Sequence, residues 1–229
     1  MTLRKSVMLA KSTAYCMQSP RSTPLVDVKQ QTPRSELLAI LMEKSVRHGT
    51  FELSSGATSD LYVDAKQTTS DPRAALLLAS VGWQLVKDTA AERGKRVDGI
   101  GGLTMGADWM ALSIAMGAQL ENPFNELKAF SVRKSAKKHG LHKLIEGNFV
   151  SDQSVVVVDD VITTGASTLQ AIQAIKSSGG RIAFVVVLVD RQEGGRQAIE
   201  AEGHAVVPIF TRADVCPLDA GRSTHFAAA

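Results

Sequence analysis

Five short runs of apolar, largely β-branched residues, at 97–100, 129–132, 155–158, 182–189 and 205–210, are separated in most cases by stretches with helical periodicity. Such runs suit strands buried on both faces. Their alternation with helices of ten or more residues predicts an α/β fold built on a doubly wound, mostly parallel sheet. The longest apolar runs, 155–158 and 183–189, fall far short of the roughly 18–20 residues of a membrane span. With 44% hydrophobic and 21% charged residues, the chain can bury a core. In sheets of this kind ligands bind at the carboxyl ends of the strands, so the residues just after each run are the ones to inspect.

Upstream of the first run, Thr32-Pro33 supplies an N-cap and a first helical position. Leu37, Leu38, Leu41 and Met42 share one face of a helix expected to persist to Gly49. Residues 51–64 read as a hairpin, with Phe51 and Leu53 alternating, Ser55-Gly56 as turn chemistry and Leu61-Tyr62-Val63 returning. Asp71-Pro72 opens a second helix, whose apolar positions Leu76, Leu77, Leu78, Val81, Leu85 and Val86 run on to Gly94. The expected organisation is one domain over 34–215, including a small N-terminal hood at 34–70, with a flexible basic extension at 1–33 and a tail at 216–229. The extension shares an Arg- and Ser-rich, acid-poor composition with transit peptides but shows no clear amphipathic helix.

The net charge of +3 is unevenly placed. Residues 1–26 carry four basic groups and no acid, and residues 131–143 carry Arg133, Lys134, Lys137, Lys138 and Lys143 with no acid, which leaves the rest of the chain net acidic. One concentrated basic segment on an acidic body suits a local anion site better than a nucleic-acid face. The two cysteines, Cys16 and Cys216, form no CxxC, so neither a disulfide framework nor a structural metal is indicated and a cytoplasmic location is expected.

The densest chemistry follows the third run. Val155-Val156-Val157-Val158 leads into Asp159-Asp160, then Val161-Ile162-Thr163-Thr164-Gly165-Ala166-Ser167-Thr168, then a helix through Leu169, Ile172 and Ile175 that stops at Gly179-Gly180. This order aims backbone N–H groups, hydroxyls and the positive end of a helix dipole at one spot, which suits a phosphate. No lysine follows the glycine, so the loop is not a Walker A, and Gly99, Gly101, Gly102 and Gly106 do not have Rossmann spacing. Two carboxylates leading a lysine-free phosphate cradle call for a ligand that also donates hydroxyls, such as a phosphorylated sugar.

The stretch from Val155 to Thr168 resembles the phosphoribosyl-diphosphate (PRPP) motif of the type I phosphoribosyltransferases. Three further stretches resemble the orotate phosphoribosyltransferase branch: Phe51-Glu52-Leu53-Ser54-Ser55-Gly56 with Ser59 and Tyr62, Arg133-Lys134-Ser135-Ala136-Lys137-Lys138-His139-Gly140, and Asp190-Arg191-Gln192-Glu193-Gly194-Gly195. The resemblance implies transfer of the 5-phosphoribosyl group from PRPP to orotate, giving orotidine 5'-monophosphate and diphosphate, in pyrimidine biosynthesis. It also implies Mg²⁺ carried on the diphosphate, with no direct protein ligands, and a homodimer whose basic flap crosses the interface.

Residue by residue, it implies Lys137, Asp159 and Asp160 as catalytic groups. PRPP would be held by Arg133, Lys134, Lys137, His139, Asp159, Asp160, Val161, Ile162, Thr163, Thr164, Gly165, Ala166 and Ser167, and orotate by Thr163 and Arg191. Tyr62 and Val63 are open between packing on the base and packing in the core. Ser54 and Met105 stand where relatives often carry lysine, and Lys66 is a candidate to replace the first. Trp83 and Trp109 read as packing residues, and Asp108 as a partner of a helix dipole. The rival functions are a transferase for another nucleobase and a PRPP-sensing regulator on the same fold.

Overall fold

The computed structural model describes residues 32–52, 58–135 and 144–216. Helix α1, Pro33–Lys44, starts where Ser35 N–H donates to Thr32 Oγ1 at 3.1 Å, as the Thr-Pro pair predicts. It stops five residues before Gly49. Val46, Arg47 and His48 pair with Val63, Tyr62 and Leu61, so strand β1, Val46–Glu52, takes the segment expected to end the helix. Its antiparallel partner is β2, Thr58–Val63, and the turn residues Ser55 and Gly56 lie outside the described residues.

A single turn, α2, Lys66–Thr69, leads to α3, Pro72–Glu92, whose cap Asp71 accepts from Arg73 N–H and Ala74 N–H, both at 3.0 Å. The remaining elements are β3 Gly99–Leu103, α4 Asp108–Glu121, β4 Lys128–Val132, β5 Ile145–Gly147, β6 Ser154–Ile162, α5 Ala166–Ser177, β7 Arg181–Asp190, α6 Gly195–Ala201, β8 Val206–Thr211 and α7 Arg212–Val215.

The main sheet has the order β5-β4-β3-β6-β7-β8, parallel except for the antiparallel edge strand β5. This is the doubly wound α/β arrangement expected from the spacing of the apolar runs. Both faces are covered, which explains why those runs are continuous rather than alternating. Val156, Val158, Val186 and Leu188 pack toward Leu37, Leu78 and Ile114. Val155, Val157, Val185 and Val187 pack toward Ile172, Ile175 and Ile199 on the other face. Strand β6 extends beyond the valines, so Asp159 and Asp160 lie within the strand and not after it, Asp159 opposite Val187. Strand β3 is shifted to later residues than expected, and β5 was not evident from the sequence because it is three residues long.

Helix α4 is apolar around most of its circumference. Met110, Ala111, Ile114 and Ala118 are buried, yet Trp109, Leu112, Met116 and Leu120 form a second stripe at helical spacing that faces outward. Leu76 of α3, expected to face the core, is 65% exposed and lines a groove of about 330 Å³ with Trp83, Gly117 and Leu120. Trp83 is only partly buried, and its indole N–H donates to Glu121.

Candidate active site

Chain crossovers leave β3 toward β4 on one side and β6 toward β7 on the other. The reversal lies between β3 and β6, and in open α/β sheets the crevice at that point is where ligands bind. Here it is a cleft of about 670 Å³. Asp159 and Asp160 line it with the Thr104–Gly106 turn, Val161, Ser167, Lys66, Arg133 and Lys134. A hollow of about 790 Å³ lies at the opposite end of the strands, but there Arg96 pairs with Asp98 and Arg181 with Asp152, and no buried carboxylate faces it.

The two aspartates are neighbours in sequence with different surroundings. Asp159 is 5% exposed and accepts a 2.7 Å hydrogen bond from the Thr168 hydroxyl in the first turn of α5. Burial, opposed by that bond and assisted by the charge of Asp160, pushes its carboxyl up to about 7. Asp160, pointing to the other face of the strand, accepts from Val161 N–H at 2.8 Å. Burial raises its pKa too, and the Lys66 ammonium opposes the rise. A ligand that donates hydroxyls to these oxygens would favour their ionised forms.

Close backbone approach shapes both sides. A Cβ on Gly106 would stand 2.6 Å from Asp160 Oδ1, so the β3–α4 turn reaches the carboxylate only because that residue is glycine. At Gly195 a Cβ would meet Thr163 O at 2.4 Å and Gly165 N at 2.7 Å, which lets the loop before α5 rest on the start of α6. Thr163 is half-buried, Thr164, Ala166 and Ser167 are exposed, and Ile162 is buried. The Ile162 side chain packs into the core, and its carbonyl accepts from Arg191 N–H at 3.1 Å. Helix α5, four residues after Ile162, leaves its first N–H groups without partners inside the helix, as any helix start does. The turn on the β3 side is tied by Asp108, which accepts from Thr104 Oγ1 at 2.7 Å and from Ser131 Oγ at 2.5 Å. Asp108 therefore holds side chains as well as sitting at a helix start.

Arg191 follows β7 and is 4% exposed. One nitrogen, Nη2, donates to Ser59 Oγ and to Glu193 Oε1, each at 2.6 Å, and Nε is buried without a hydrogen-bond partner. The guanidinium thus joins the hairpin to the sheet and retains a donor. Glu193 is a partner that the sequence did not reveal, since a short-range acid beside an arginine carries no distinctive pattern. Tyr62 is 45% exposed and stacks near Phe51 with centroids 5.5 Å apart, so its ring is not core. Val63 is half-buried against the core.

Arg133 faces Glu146 at 3.8 Å, and the backbone carbonyl of Lys134 accepts from Gln170. Lys137 and His139, also expected in the site, lie outside the described residues, as does Ser54. Thr168, Glu193 and Gly106 stood in stretches that the sequence singled out, but without the site contacts seen here. Thr168 had a signal, a hydroxyl in the first turn of a helix that follows a carboxylate.

A phosphoribosyl transferase domain family matches residues 109–207. The orotate phosphoribosyltransferase of Mycobacterium tuberculosis is 41% identical over 182 residues, covering 80% of this chain and 96% of the relative. The chain belongs to the orotate phosphoribosyltransferase family. Two crystal structures of the mycobacterial orotate phosphoribosyltransferase are similar in fold. The complex with Fe(III) dicitrate has a TM-score of 0.67 at 39% identity over 81% of this chain and 99% of that one. The complex with PRPP has a TM-score of 0.64 at 35% identity over 80% and 99%. The match with orotate phosphoribosyltransferases spans the β3–β6 crevice and the strands and helices that form it.

Proposed function

We infer that this chain is an orotate phosphoribosyltransferase, which joins a ring nitrogen of orotate to the anomeric carbon of PRPP with loss of diphosphate, forming orotidine 5'-monophosphate in pyrimidine biosynthesis. The observation that carries the reading is the carboxylate pair of β6 set opposite a lysine-free helix start at the switch point of the sheet. In the reaction the carbon–oxygen bond to diphosphate breaks, the carbon–nitrogen bond forms and the ring nitrogen gives up its proton. The ribosyl ring passes through oxocarbenium character. Asp159 and Asp160 accept hydrogen bonds from the ribose hydroxyls and favour the cationic ring. The 161–167 loop holds the 5-phosphate through backbone N–H groups and hydroxyls. Arg191, with its spare Nε, takes the carboxylate of orotate.

Arg133, Lys134, Lys137 and His139 close over the diphosphate. Among the described residues no three His, Cys, Asp or Glu side chains converge as a metal cage. The hard oxygens of Asp159 and Asp160 on the cleft suit an ion that arrives with oxygens of its own. Mg²⁺ bound to the diphosphate supplies partial neutralisation of the leaving group.

The outward stripe of α4 supports a homodimer, since an apolar face of this kind is its own complement across a two-fold axis. Leu112→Asp with Leu120→Asp should convert a sedimenting dimer to monomer and lower turnover, because the flap then lacks its neighbour. Among the described residues no helix is long and apolar enough to cross a membrane, and the two cysteines suit a reducing cytoplasm.

The test is the fall in orotate absorbance on mixing protein, PRPP and Mg²⁺, with Lys137→Ala and Asp160→Asn alongside. Turnover that drops sharply in both variants supports the assignment. An inactive protein that still binds PRPP would redirect the reading to another nucleobase, then to a PRPP sensor.

A further inference from the structure

Among the described residues, the cleft takes its cations from two sources. Arg133 and Lys134 come from the end of β4, and Lys66 comes alone from the opposite side, at the first position of α2 just after the hairpin. Its ammonium lies 2.9 Å from Asp64 Oδ1, and the side chain is 46% exposed. The lysine end of the pair is half-exposed and free to turn, whereas Asp64 Oδ1 is buried, so a competing anion must outweigh a partly desolvated carboxylate to draw Lys66 away.

The position within the cleft is informative. Asp159 is tied to Thr168 on α5 and so marks the side of the 5-phosphate. Asp160 packs against Gly106 of the β3–α4 turn and marks the other side. Lys66 is coupled electrostatically to Asp160, and the exposed Met105 lines the same cleft beside Gly106. That turn offers a thioether where a polyanion would meet it. Among the described residues that line the cleft, Lys66 is the cation on the hairpin side.

We propose that Lys66 is a PRPP-binding residue that exchanges Asp64 for the diphosphate of the bound substrate, so that the leaving group is held from the hairpin side by Lys66 and from the β4 side by Arg133 and Lys134. The exchange replaces a single carboxylate by a group with several anionic oxygens, to which an ammonium forms stronger charge-assisted hydrogen bonds. It also places the diphosphate contact on α2, the turn that directly follows the hairpin strand carrying Ser59.

The proposal deepens the functional reading above and rests on it. Lys66→Met should raise both the PRPP KM and the dissociation constant of inorganic diphosphate about tenfold or more, with the orotate KM within about twofold. Lys66→Arg should restore diphosphate binding, and Met105→Lys should restore part of it in the Lys66→Met background. Asp64→Asn, which releases the ammonium without deleting it, should tighten diphosphate about threefold. Unchanged diphosphate affinity in Lys66→Met, in a wild-type protein that turns over orotate, would overturn the proposal and leave the function intact. A wild type that binds diphosphate but leaves orotate unconsumed would overturn the functional reading, and the Lys66→Met titration would still decide whether this lysine holds the anion.

Discussion

The two sides of the cleft are built from different materials. On the β6–α5 side the carboxylates sit inside a central strand and the loop before α5 lies against the start of α6 with no room for a Cβ at Gly195. On the hairpin side the holding contacts are side chains that reach across the chain, Arg191 to Ser59 and Arg212 to Asp60 at 2.6 Å each. The first construction fixes atoms by backbone geometry, and the second by charge and hydrogen bonding between side chains that range from the buried Arg191 to the exposed Asp60. On the proposed function, the phosphoribosyl donor suits the rigid half, and a base that must enter and leave suits the adjustable one. Steric changes should therefore be costly on the first side and better tolerated on the second, whereas loss of a charge should be costly on both.

The largest effect should come from Asp160→Asn, which keeps shape and removes charge; we expect kcat/KM to fall by about 10²–10³ in steady-state turnover. Retention of near-normal activity would mean that the rigid side acts by shape alone. Gly195→Ala should follow. Its methyl must displace Thr163 O or Gly165 N, so PRPP affinity should drop about tenfold or more, with a stability loss of about 1–3 kcal/mol in urea unfolding. Arg191→Met tests the adjustable side and should raise the orotate KM about tenfold while PRPP affinity in a calorimetric titration stays near wild type. A matching loss of PRPP affinity would erase the division between the two sides.

The smallest effect concerns pH. An unfolded aspartate loses its proton at about pH 4, whereas the buried Asp159 does so at about 7. Between those values the folded state carries the extra proton, so this residue makes stability decline as pH rises. Asp159→Asn should flatten that decline and gain on the order of 1 kcal/mol over wild type at pH 8. Parallel stability curves for the two proteins from pH 4 to 8 would show that Asp159 ionises normally.

The rigid half was the more legible in the sequence for the same reason that it is rigid. The valine run, the adjacent carboxylates, the small hydroxylated loop and the glycine before the helix are contiguous, and each reflects a local backbone requirement. The end of that strand was placed too early because two carboxylates look like the start of a loop, although β7 pairs with them to Ile162 and beyond the valines. The hairpin side depends on contacts between residues 132 and 152 positions apart, and no local pattern encodes such distances. Helix α1 was drawn too long for a related reason: pairing with β2, and not helix propensity, decides the conformation of Val46 to His48. The outward stripe of α4 was not recognised in the sequence, because separating it from the core stripe required knowing which face the sheet already occupied.

The distant anchors of the hairpin also set an order of assembly. Arg34 donates to Ile209 O at 2.9 Å, Arg191 reaches Ser59 and Arg212 reaches Asp60, so the first described helix and hairpin are fastened by residues from the last described strands and loops. During synthesis the hairpin leaves the ribosome early and waits for its partners. The β3–α4–β4 unit can form from neighbours in sequence, but loop-closure entropy delays the docking of the amino-terminal segment until β7 and β8 exist. On the proposed function, a nascent chain would thus hold parts of the sugar-phosphate cradle before the hairpin side closes, and the capacity to accept a nucleobase would come with the final strand.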